Sequence, residues 1–205
     1  MKKPKYWSLA KKTLSKKDKV IKKIIATHSG SLVSRNDPFF SLCRSIIGQQ
    51  ISVQSADSVW KKFSHKAKKI IPKNILNLSK SQLSSCGLSR QKIEYLKILA
   101  KKFDDKSIDI KKLKEMDDEE AIKYLSEVKG IGRWTAEMFL FFNQLRPDIY
   151  PVQDIGLLKA ISKNYKTAYP PPQKKIEELK KLWSPYATVA TWYMWRSIDP
   201  VPVKY

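Results

Sequence analysis

Apolar residues recur along this chain at helical spacing far more often than they alternate. In PFFSLCRSIIGQQ, Phe39, Leu42, Cys43, Ile46 and Ile47 fall on one face, behind Asp37 as N-cap and Pro38 at the first helical position. That pattern predicts a core helix, interrupted from Gly48 to Ser52. Ser52 then caps a second helix with Ala56, Val59, Trp60 and Phe63 at its apolar positions. Ser79 and Gln82 have capping-box spacing before a short helix stopped by Gly87, and Ser89 opens another with Ile93, Leu96 and Ala100 inward. Asp117 and Glu120 repeat the box ahead of AIKYLSEV. Asp154 begins IGLLKAI, Pro170 to Pro172 stiffen a linker, and Ser184-Pro185 starts a last helix through Trp195. No useful stretch alternates as a strand and no repeat of fixed period is present, so the predicted fold class is all-α. A chain of 205 residues can bury a sizeable core as one domain of two small lobes.

Charge changes the picture from fold to partner. Lys and Arg number 41 against 19 Asp and Glu, a formal net charge of +22, which is the signature of a partner rich in phosphates. A lysine-rich background would also raise the charge, so motifs must decide. Only six of the cations are Arg. Lysine meets phosphate as a point charge, whereas reading a guanine edge favours Arg, so backbone binding is expected with little sequence specificity.

Other chemistries are excluded early. No apolar run is long enough to span a membrane, and the lysine-rich start of the chain has no continuous apolar segment behind it, so neither a signal peptide nor a membrane partner is expected. Cys43 and Cys86 are the only cysteines, too few for a four-cysteine zinc site or iron–sulfur cluster. His28 and His65 have no second ligand at metal-binding spacing.

The stretch VKGIGRWTAEMFLFF carries the first candidate site. Leu125 and Val128 close one helix, Gly130-Ile131-Gly132 makes a tight hairpin, and Arg133 starts the next helix. Glycines let the backbone come close to a partner, free N–H groups at the new N-terminus favour an anion, and Lys129 and Arg133 strengthen that preference. Such a turn can hold a DNA phosphate without reading a base, although many such turns are simple connections. About twenty residues on, Asp154 places a carboxylate at a helix start. It could be an ordinary N-cap. Its chemical use would be to stabilise a positive centre or orient water, and both suit cleavage of an N-glycosidic bond, where the sugar becomes cationic as the base departs.

LSEVKGIGRWTAEMFL followed by PVQDIGLLKA resembles the helix-hairpin-helix (HhH-GPD) DNA glycosylase superfamily, most of all its bacterial 3-methyladenine DNA glycosylase II members. FFSLCRSIIGQQIS, GLSRQKIEYLKILA and WSPYATVATWYMWR extend the similarity over roughly residues 36–200. The resemblance implies a two-lobed helical core with the active-site cleft between the lobes, in a compact version lacking the extra N-terminal β-rich domain. Approximately, residues 36–115 would form one lobe and 116–165 the helix-hairpin-helix and catalytic Asp, with 1–35 and 166–205 completing the second lobe.

Roles follow by position. Asp154 matches the catalytic Asp, and Lys129, Gly130, Ile131, Gly132 and Arg133 match the DNA-gripping hairpin. Trp134 and Trp195 match aromatic walls of the base pocket, with Met138 and Ile155 also lining it. Gln50, with Gln49 beside it, matches the wedge that fills the gap left by a flipped nucleotide. Members that cut the strand carry Lys where this chain has Trp134, so the implied enzyme is monofunctional. It would hydrolyse alkylated purines of the 3-methyladenine type from damaged double-stranded DNA in base excision repair, leaving an abasic site. No cofactor or iron–sulfur cluster is implied; a structural Na+ or K+ could sit on the backbone carbonyls of Ser126, Val128 and Ile131. The chain departs from the pattern at Met138 and Ile155, where aromatics are usual, and at Ala187, where many relatives have Arg. A monomer is expected, cytoplasmic and nucleoid-associated in a bacterium or nuclear otherwise. The alternatives are a non-catalytic helix-hairpin-helix DNA-binding module and a glycosylase for another damaged base.

Overall fold

The structure is a computed structural model and describes residues 3–199. Its helices, in chain order, are α1 (Trp7–Lys17), α2 (Lys19–Thr27), α3 (Pro38–Gly48), α4 (Val53–Ala67), α5 (Pro72–Asn77), α6 (Lys80–Ser84), α7 (Arg90–Asp104), α8 (Asp118–Ser126), α9 (Arg133–Phe142), α10 (Ile155–Tyr165), α11 (Gln173–Trp183) and α12 (Ala187–Ile198). A 3-10 turn at Ile110–Lys114 precedes α8. No β-strand occurs among the described residues, and the fold is all-α. No helix is long and apolar enough to cross a membrane among the described residues.

Two compact units divide the chain: one runs to Asn36 and resumes at Leu140, the other is Asp37–Phe139. The division falls inside α9. It therefore splits the segment 116–165, which the sequence reading kept together. The hairpin goes with Asp37–Phe139 because Gly130 abuts Tyr95 of α7 and Lys129 pairs with Glu94 of the same helix. Asp154 goes with the other unit because α10 packs on α12.

In the Asp37–Phe139 unit, α7 packs against α3, α5 and α6. Leu42, Ile46, Phe63, Ile75, Leu83, Leu96 and Leu99 are fully buried there, consistent with the apolar stripes read from sequence. The predicted caps are present: Asp37 accepts from the Phe40 amide and Ser52 from Ser55, while Ser79/Gln82 and Asp117/Glu120 form complete capping boxes.

In the other unit α12 is the central helix, packing on α1, α2, α10 and α11. Every residue from Ala187 to Met194 is buried, the pattern of a helix enclosed on all sides. Two helices precede α3, because Asp18 ends α1 and caps α2. Its carboxylate accepts from the Val20 and Ile21 amides, from the Trp183 indole at 2.9 Å and from the Tyr165 hydroxyl. Burial, and then that bond to Asp18, push the Tyr165 hydroxyl far above its ordinary pKa.

The last helix starts later than Ser184-Pro185 predicted. Ser184 does not cap it; Asp148 does, from a loop 39 residues away, accepting the Ala187 amide at 2.9 Å and the Ser184 hydroxyl. Thr188 completes the joint by accepting from the Ile149 amide and donating to the Arg146 carbonyl. A remote cap leaves no local sequence signal.

Candidate functional site

Asp154 is the N-cap of α10, in extended backbone, and its Oδ1 accepts the Leu157 amide at 2.7 Å. The same oxygen accepts the indole N–H of Trp195 at 2.8 Å. The structure thus brings together two residues 41 positions apart that the sequence singled out separately. The indole is itself held: it stacks on Phe142 with planes 9° apart and tilts against Phe141 with ring centroids 5.0 Å apart. Both phenylalanines belong to the part of α9 that lies in this unit.

Gly156 is a site residue that sequence reasoning missed. A Cβ there would lie 3.1 Å from Asp154 Oδ1 and 3.4 Å from both Cδ1 and Nε1 of Trp195. A signal existed: glycine in the first turn of an otherwise regular helix lowers stability relative to alanine and calls for a packing reason. Ile155 next to the Asp is 61% exposed, and Val152 before it is also exposed. Apolar side chains thus stand in solvent on both sides of a half-buried carboxylate.

The hairpin is built within the other unit. Gly130 has φ +96°, and a Cβ on it would fall 2.3 Å from Cγ of Tyr95, so both the turn and the ring beneath it demand glycine. Gly132 is different: its backbone is ordinary and a Cβ would meet nothing within 4 Å. Among the described residues no packing contact requires glycine there. Ile131 closes the turn by donating to the Val128 carbonyl at 2.9 Å.

The interrupted segment after α3 packs on this hairpin. Gln49 Nε2 donates to the Gly130 carbonyl and to Thr135 Oγ1, each at 2.9 Å. This side chain braces the hairpin. Lys92 of α7 donates to the carbonyls of Ile47 and Gln49, each at 2.8 Å, anchoring the end of α3. Partial burial lowers the Lys92 pKa. Between these anchors Gln50 is exposed and left-handed at φ 56°, a conformation that non-glycine residues adopt only when their neighbours are fixed.

The two hairpin cations differ. Lys129 pairs with Glu94 at 2.5 Å, both groups well exposed, and that contact raises the lysine pKa. Arg133 is committed further, donating to both carboxylate oxygens of Glu119 and, at 3.1 Å, to the buried Glu137 one turn on. It ties the start of α9 to the first turn of α8. Met138 is buried, at 2% exposure. Trp134 is half-buried near the start of α9. Among the described residues no group of three or more His, Cys, Asp or Glu is placed to hold a metal.

A helical hairpin closed by glycine against α7, followed in the chain by an Asp that caps the next helix, is the arrangement of a helix-hairpin-helix protein. The chain belongs to the HhH-GPD superfamily of base excision DNA repair proteins, whose pattern matches residues 43–185. It is 32% identical over 164 residues to the alkylbase DNA glycosidase-like protein mag2 of Schizosaccharomyces pombe, covering 78% of this chain and 77% of that one. Among solved structures it is similar to a DNA-3-methyladenine glycosidase from Bacillus halodurans, with a TM-score of 0.78 and 28% identity over 97% of this chain and 93% of that one. The fold is also that of the S. pombe 3-methyladenine DNA glycosylase Mag1, solved with abasic DNA, at a TM-score of 0.83 and 24% identity over 96% and 99% of the two chains.

Proposed function

We propose that this chain is a monofunctional DNA glycosylase that removes alkylated purines of the 3-methyladenine type from damaged duplex DNA. The observation that carries it is the Asp154 carboxylate, fixed by the Leu157 amide and the Trp195 indole in a chain of the base excision repair superfamily. An alkylated purine ring carries positive charge, so it leaves with the electrons of the C1′–N bond and departs neutral. The sugar becomes cationic in the transition state, and a carboxylate beside it lowers that barrier. Water then bonds to C1′ and gives up a proton, leaving an abasic site. Trp195 and the exposed Ile155 are the side chains beside Asp154 proposed to meet the base; an indole face attracts a cationic ring more than a neutral one.

The hairpin is proposed to hold the DNA backbone. The first amides of α9 and the open space over Gly132 suit a close-packed phosphate, and Lys129 can exchange Glu94 for it, since exposed ion pairs are weak. Gln50, left-handed between fixed neighbours, is proposed as the wedge. Carbonyls of Ser126, Val128 and Ile131 are oxygen donors of the type Na+ and K+ accept, and such an ion would stiffen the turn without entering the chemistry. Trp134 stands where strand-cutting members carry an amine, and an indole cannot form a Schiff base.

The test is incubation of the protein with duplex DNA carrying methylated purines, analysed for free base and for strand breaks with and without hot alkali. Free methylated purine with breaks only after alkali is the expected result. Tight binding without base release would instead identify a DNA-binding module.

A further inference from the structure

We propose that Trp195 is the positioning residue of Asp154, holding the carboxylate through its indole N–H, and that Gly156 keeps room for that bond; the proposal rests on Asp154 being the catalytic carboxylate. The Leu157 amide bond at 2.7 Å is what any N-cap Asp makes. The bond from Trp195 at 2.8 Å adds nothing to capping, because α10 is already capped without it. Its effect is on orientation. The Leu157 amide holds Oδ1 from within α10, and the indole, on a ring in another helix, holds the same oxygen from a second direction.

That ring is held well enough to serve. Phe142 lies parallel to it at 6.0 Å between centroids, and Phe141 meets it at 5.0 Å and 46°. The remaining constraint is Gly156. A methyl group at that position would press on the accepting oxygen at 3.1 Å and touch the donor nitrogen at 3.4 Å. The glycine therefore sits where a side chain would crowd the accepting oxygen and lie against the donor nitrogen of one hydrogen bond. Trp195 thus has two jobs: its face is offered to the base, and its edge fixes the carboxylate.

The experiment replaces Trp195 with a tryptophan analogue in which sulfur takes the place of the indole N–H, keeping ring size and shape. Single-turnover base release and DNA affinity are measured beside the wild type, Trp195→Phe, Gly156→Ala and Asp154→Asn. The positioning role predicts that the sulfur analogue releases base roughly 10- to 100-fold more slowly while it still binds DNA and stays folded at the assay temperature. Gly156→Ala should slow release in the same way. Wild-type turnover by the sulfur analogue would overturn the positioning role; if Asp154→Asn is inactive in the same assay, the reading of Asp154 survives that result. Wild-type turnover by Asp154→Asn would remove both.

Discussion

A Cβ on Gly130 would lie 2.3 Å from Cγ of Tyr95, whereas a Cβ on Gly132 would meet no atom within 4 Å. One hairpin glycine is therefore fixed by the fold, and the other is free of it. Gly130→Ala adds overpacking and a left-handed non-glycine residue, and should destabilise the protein by about 2–4 kcal/mol. Gly132→Ala should stay within about 0.5 kcal/mol of wild type but weaken DNA binding. Thermal melts and DNA titrations separate the two; equal losses of stability would contradict the assignment.

Lys129 and Arg133 should also separate. Lys129→Ala is expected to weaken binding equally across sequences and lower the salt slope by about 1, with little change in melting temperature. Arg133→Ala removes a partner of the buried Glu137 and the tie to Glu119, and should cost about 1–3 kcal/mol of stability. A salt series on each variant, with its melting curve, tests this.

The remote cap of α12 gives a third expectation. Asp148→Ala strips the helix of the acceptor for the Ala187 amide and Ser184 of its hydroxyl partner. The expected cost is about 1–2 kcal/mol, read as a lower melting temperature. An unchanged melt would mean that α12 does not need that acceptor.

Chemistry at Trp134 gives a fourth. Borohydride should trap no covalent complex with DNA, because the position holds an indole. A trapped band on a denaturing gel would contradict the monofunctional reading.

How much of this was legible in the sequence depended on distance along the chain. The helices, four of the caps and the glycine hairpin are written in neighbouring residues, so the spacing of Asp37, Ser52, Ser79 and Asp117 was enough. Contacts made by residues far apart were not. Asp148 capping α12, Gln49 bracing Gly130 and Arg133 divided between Glu119 and Glu137 all depend on packing that no local pattern encodes. Trp195 was read as an aromatic face; that its N–H reaches Asp154 required the course of α12.

The central claim is that Asp154 carries the chemistry and is not merely an N-cap. Asparagine can still accept the Leu157 amide and keep α10 capped, but it removes the negative charge. The measurement is single-turnover release of methylated purine by wild type and by Asp154→Asn, with DNA affinity determined on the same samples. The account predicts that the variant binds DNA as wild type does and releases no measurable base. Release by the variant at the wild-type rate would contradict it.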